Sequence, residues 1–121
     1  MTPALLAGVG LLGGLGAIAR FALDASVGLR FGRELPLGTL VVNVLGAFLL
    51  GLIAGAALDD EASKLLGTGA IGAFTTFSTW ALESQRMAEA GQARLGGLNL
   101  VVSLLAGIAV AALGRALGAA L

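Results

Sequence analysis

The 121-residue chain contains no cysteine and no histidine. That excludes disulfides, thiolate chemistry and the commonest metal ligands together, and leaves redox compartment unreadable. Charge is also scarce: 12% of residues are charged, against about 25% in soluble domains. The formal net charge is zero and the pI is near 6.1, so no basic patch exists for nucleic acid. No Asp or Glu falls mid-way along any apolar run. Without His, Cys or such carboxylates no nucleophile–base pair or metal set can be built, and enzyme function is not expected.

What is present is apolar. Hydrophobic residues make up 58% of the chain and mean hydropathy is +1.01. Such a chain cannot cover itself with polar surface, so an all-α integral membrane protein of one domain is expected. Its 20 glycines would be costly in water, but in a bilayer they permit close helix contact. Pairs at four-residue spacing, Gly10 and Gly14, Gly51 and Gly55, Gly114 and Gly118, suit a tightly packed bundle or dimer.

Four apolar runs predict spans near residues 4–24, 37–58, 65–85 and 95–116. The first is broken only by Arg20. Ala17-Ile18-Ala19 resembles a signal-peptide cleavage site, but no Lys or Arg precedes the run and it is long for a signal core. Residues 24–35 read as a short loop, with Pro36 at the first turn of the next helix. Asp59, Asp60, Glu61 and Lys64 form a tight polar turn, and charges around Gly91 form the last loop. Four spans put both termini on one side. Lys64 and Arg115 lie on that side, against Arg30, Arg33, Arg86 and Arg94 opposite, with Arg20 at the end of the first span. The bias favours the Arg-rich loops in the cytoplasm. It is small enough that the chain is able to insert both ways round.

Polar groups within the spans are few and regularly spaced. Thr39 and Asn43 lie one turn apart with Gly46 next on that face, and Asn99 and Ser103 repeat the pattern with Gly107. Residues 69–80 hold the densest set: Thr75, Thr76, Ser78 and Thr79 with Gly69 and Gly72, and Phe74, Phe77 and Trp80 three apart. Hydroxyls and β-branching make this the poorest helix former in the third run, so a break at mid-membrane is expected. Lipid cannot satisfy the backbone groups freed by a break, so they must line a cavity or meet a partner. The alternative for each polar residue is interhelical glue, about 0.6 kcal/mol apiece. As a set they better describe a polar track. It offers hydroxyl, amide and backbone N–H donors and aromatic edges without carboxylates, which suits a small anion. Arg20 either concentrates anions at an entrance or anchors the helix by snorkelling. Glu83, past Trp80, is read alternatively as the terminus of its span.

Three blocks carry a resemblance: Gly13-Gly14-Leu15-Gly16-Ala17-Ile18-Ala19-Arg20-Phe21; Pro36-Leu37-Gly38-Thr39-Leu40-Val41-Val42-Asn43 with Gly46; and residues 72–80. In this order they resemble the signature blocks of the CrcB/Fluc fluoride channels, over essentially the whole chain. The resemblance implies a passive, fluoride-selective channel of the prokaryotic plasma membrane that sheds fluoride entering as HF. It implies an antiparallel dimer, of self or of a paired homologous chain, with two pathways and a structural sodium ion at its centre. By matching position, Phe77 and Trp80 would be the pore aromatics, although the family usually has Phe at the second. Asn43 would set its amide beside them. Ser78, Thr79 and Ser103 would supply hydroxyls, Arg20 would stand in the vestibule, and Glu83 matches an acid near the far end. Backbone carbonyls around Gly72 and Thr75 would hold the sodium. Asn99 sits where a tyrosine is common.

Two other classes compete. A small multidrug exporter is also a four-span antiparallel dimer, but it needs an acid in the first span, and residues 5–23 contain none. A non-transporting assembly subunit would use the polar residues as glue alone.

Overall fold

The computed structural model describes residues 1–121. Helix α1 (Pro3–Phe31) starts where the Thr2 hydroxyl accepts the Leu5 amide at 3.1 Å, with Pro3 in the first turn, where a missing amide costs nothing. It does not stop at residue 24. Asp24, Ser26 and Arg30 are polar, but none breaks a helix, so residues 24–31 are helical rather than the expected loop. The chain leaves the helix only at Gly32, whose φ of 81° returns its amide to the Gly28 carbonyl at 2.9 Å.

Helix α2 (Leu37–Ala56) follows Pro36, which lies just outside the first turn; its carbonyl accepts from the Leu40 amide at 3.1 Å. Ala57, left-handed at φ 52°, ends the helix two residues before the apolar run does. The acidic turn is a helix start: Asp59 caps α3 (Asp60–Ser63) by accepting the Ala62 amide at 2.8 Å. Lys64 meets Asp60 at 2.8 Å one turn on.

No single helix covers residues 65–85. A π-helical segment (Lys64–Ile71) widens the turn and passes into a short α4 (Gly72–Phe74). Thr75 (φ −84°, ψ 160°) and Thr76 (φ −145°, ψ 122°) are extended. Helix α5 (Phe77–Glu89) then starts afresh and, like α1, continues through charged residues. Gly91, at φ 83°, turns the chain into α6 (Ala93–Ala119).

Glycine sets the packing. Along α2 and α6, a Cβ on Gly51 would collide with the Ala111 carbonyl and one on Gly55 with the Arg115 carbonyl. From the other side, Gly114 faces Phe48 and Gly118 faces Leu52 in the same way. Backbone thus lies on backbone along two turns, as the four-residue spacing expects. Helix α1 approaches the π segment equally closely through Gly16 against the Ala70 carbonyl. Gly10 and Gly14 face open space in this chain. Only 16 residues are buried, while Leu11, Phe21, Leu29 and Leu105 all stand exposed. An apolar surface this extensive needs lipid or protein around it. Helices α1, α2 and α6 are each long and apolar enough to cross a membrane.

Candidate functional site

The two extended threonines need partners, and α2 supplies one. Asn43 Nδ2 donates to the Thr76 carbonyl at 2.8 Å, and Asn43 Oδ1 accepts from the Thr76 amide at 2.8 Å. One planar side-chain amide thereby pairs both backbone groups of Thr76, as a neighbouring strand would. Left buried and unpaired, those groups would each cost about 1–3 kcal/mol. Gly46, on the same face of α2, clears the way: a Cβ there would strike the Thr75 methyl.

The hydroxyls divide by role. Thr76, buried, caps α5: its Oγ1 accepts from the Thr79 amide at 3.2 Å and lies 3.0 Å from Thr79 Oγ1 and 3.5 Å from Ser78 Oγ. Thr75 Oγ1 donates back to the Ile71 carbonyl at 3.1 Å, the same carbonyl that accepts its amide. Ser78 and Thr79 are exposed. Phe77 and Trp80 meet edge to face, with centroids 5.3 Å apart and planes at 70°.

Two cavities border this centre. One of about 350 Å³ is lined by Asn43, Gly46, Gly72, Thr75, Phe77 and Trp80, and also by Thr76. The other, about 170 Å³, is lined by Arg20, Phe21, Asp24, Thr39, Val42 and Thr79, and again by Thr76. Arg20 has no acid within salt-bridge distance, whereas Asp24 is paired with Arg33 at 3.3 Å. Thr39 is almost fully buried.

The remaining candidates lie elsewhere. Asn99 and Ser103 line a third cleft of about 170 Å³ with Leu40 and Met87. Glu83 lines a fourth, about 410 Å³, with Arg33 and Arg86, and its Oε1 is buried without a hydrogen-bond partner. Ser78 borders none of the four. Within one chain the expected track is therefore split among separate sites, with Thr76 joining two of them. The site also includes Ser84, which sequence reasoning passed over. It is buried, donates to the Trp80 carbonyl at 2.9 Å and accepts from Asn99 Nδ2 at 2.8 Å. Its only signal was the i, i+4 spacing from Trp80.

Around both cavities the side chains offer hydrogen-bond donors and aromatic edges, with Asp24 the one carboxylate and that one ion-paired. Helix α4 ends at Phe74, where Thr75 leaves in an extended conformation, so no following turn supplies amides to its last carbonyls. Uncharged oxygens of that kind suit a hard monovalent cation, and no cluster of acidic, histidine or cysteine ligands is present for another metal.

Several long apolar helices around a polar, non-helical centre mark a multi-pass membrane protein. The chain belongs to the family described as CrcB-like protein, Camphor Resistance (CrcB), whose model matches residues 7–115. It is 50% identical over 115 residues to fluoride-specific ion channel FluC 2 of Mycobacterium tuberculosis, covering 95% of this chain and 91% of that one. It is 49% identical to FluC 2 of Cutibacterium acnes, covering 89% and 92%. Against fluoride-specific ion channel FluC 1 of Rubrobacter xylanophilus identity is 42%, covering 98% and 97%.

Proposed function

We propose that the chain is a fluoride-selective passive channel of the bacterial cell membrane, exporting fluoride that has entered as HF. The observation that carries this is the Asn43–Thr76 pairing, which holds a non-helical turn beside a cavity that Phe77 and Trp80 also line. Fluoride is small and strongly hydrated. It enters a low-dielectric path only if donors replace its water as it moves. Hydroxyls, amide N–H groups and ring edges do so without the full charge that would trap it.

In this reading residues 64–89 form the remaining span, and Thr75 and Thr76 interrupt it at mid-membrane. Phe77 and Trp80 flank the ion, and Asn43, Thr39, Ser78, Thr79 and Ser103 line its route. Arg20 raises anion concentration at one mouth, and Glu83, which borders a cavity that shares Asp24 with that of Arg20, comes near the other mouth through the antiparallel pairing of subunits. Two subunits pair antiparallel, which brings together cavities that are separate within one chain. Phe77 is 75% exposed in the single subunit, an unusual exposure for a ring at a polar centre and one that a partner would cover. The carbonyls of Gly72 and Thr75 from both subunits would hold a sodium ion, which supplies a positive charge between the helix ends and no redox or acid chemistry. No catalytic step is assigned.

The test is fluoride efflux from proteoliposomes, read with a fluoride electrode while an ionophore carries potassium as counter-ion. Chloride efflux is measured in parallel. Rapid fluoride loss with little chloride loss is expected from this chain alone. Well-folded protein that releases neither ion, with or without a candidate partner chain, would overturn the reading.

A further inference from the structure

Trp80 is the chain's single tryptophan, and its surroundings hold it from three directions. Its indole N–H points at α6, donating to the Asn99 carbonyl over a long 3.5 Å. Its own carbonyl accepts from the Ser84 hydroxyl at 2.9 Å, and that hydroxyl accepts from the Asn99 side chain at 2.8 Å. Phe77 packs against the ring edge to face. A serine bonding back to its i−4 carbonyl is common in helices by itself. Here the crossing bond from Asn99 turns it into a bridge between α5 and α6.

The bridge is built into the backbone. A Cβ on Gly96 would lie 2.6 Å from the Ser84 carbonyl, so only glycine lets α6 come this close. Three residues further along α6, Asn99 reaches the Ser84 hydroxyl. Ser103 donates to Asn99 Oδ1 at 3.4 Å, which fixes which way the Asn99 amide faces. Ser84 is 5% exposed, and both capacities of its hydroxyl are used.

We infer that Ser84 and Asn99 are positioning residues that set the Trp80 ring, and through it the anion discrimination of the cavity shared with Asn43 and Phe77. By holding α6 against α5 they keep the Asn99 main-chain carbonyl where it accepts the indole N–H, which leaves the carbon atoms of the ring to the cavity that Trp80 lines. The strong, directional N–H donor is withheld from the ion, and the ring is fixed at the helix spacing Phe77 requires. Neither residue touches the ion; each acts through Trp80. The inference rests on the channel reading given above.

The experiment uses the full-length protein in proteoliposomes, with Ser84→Ala as the first variant. Asn99→Leu removes the same bond from the α6 side, in case the first variant does not fold. Emission from Trp80 is read without interference from any other tryptophan. In either variant, steady-state anisotropy is expected to fall and acrylamide quenching to rise. The ratio of fluoride to chloride efflux is expected to drop by about tenfold, the scale of one lost buried hydrogen bond. Unchanged emission in a folded variant overturns the bridge, whatever the flux. Altered emission with the parent's ion ratio overturns its role in discrimination. Parent protein that conducts no fluoride overturns the functional reading and this inference with it, and is distinguished because the emission arm needs no flux.

Discussion

Asn43 meets two demands with one side chain. It must accept from the Thr76 amide and donate to the Thr76 carbonyl. Asn43→Leu keeps the approximate volume but orphans both groups, at about 1–3 kcal/mol each, and is expected to lose both thermal stability and flux. Asn43→Asp keeps the acceptor, loses the donor, and adds a negative charge at the anion cavity; fluoride efflux should stop while the protein still elutes as the parent does. A conducting Asp variant would remove Asn43 from the path. The aromatic pair separates differently. Phe77 is exposed, so Phe77→Ile should leave the fold intact and abolish or greatly slow fluoride efflux. With the indole N–H already turned to Asn99, Trp80→Phe should still conduct, and a folded but silent variant would show that the N–H itself is needed. Thr39, Asn43 and the hydroxyl run were legible in the sequence because polar groups in an apolar run stand out. The Asn43 partner was not, since it is backbone and depends on the φ and ψ of Thr76. Ser84 was hidden for the opposite reason: it lies among charged residues, where one more hydroxyl carries no signal.

Between elements, glycine position separates packing from permissiveness. Gly51 and Gly114 lie against carbonyls of the opposite helix, whereas Gly10 and Gly97 face open space in the single chain. Gly51→Val should push α2 from α6 and destabilise the subunit by about 1–3 kcal/mol or more, seen as a lower melting temperature in detergent. Gly97→Ala should leave that temperature unchanged or slightly raised, since alanine is the better helix former. Equal effects from the two would mean that the α2–α6 seam does not limit stability. Uncharged length located α2 and α6 well, because nothing interrupts residues 37–58 or 95–114. It misjudged the end of α1, because Asp24 and Arg30 mark a change of solvent and not the end of a hydrogen-bond ladder; the ladder ends at Gly32, where the backbone adopts a positive φ. The π-helical register of Lys64–Ile71 has no signature in composition. Its glycines tolerate the wider turn without dictating it.

For the whole molecule the open variable is orientation, and the chain's composition provides the means to read it. The balance of Arg and Lys between the two sides is tipped by only a few residues, so the positive-inside rule exerts a weak net pull. An antiparallel pair built from one chain requires that balance, since copies must insert both ways. A pair built from two chains requires the reverse, a fixed direction for each. Because there is no native cysteine, a single introduced thiol reports on its own side of the membrane. Gln92 is an exposed residue in the turn before α6, so Gln92→Cys disturbs no packing. In intact cells an impermeant maleimide is expected to label about half of the protein, as insertion both ways round under a weak charge bias predicts, with the rest reacting only after permeabilisation. Labelling of all the protein from one side would fix the orientation, and a second, oppositely inserted chain would then be needed to complete the pair.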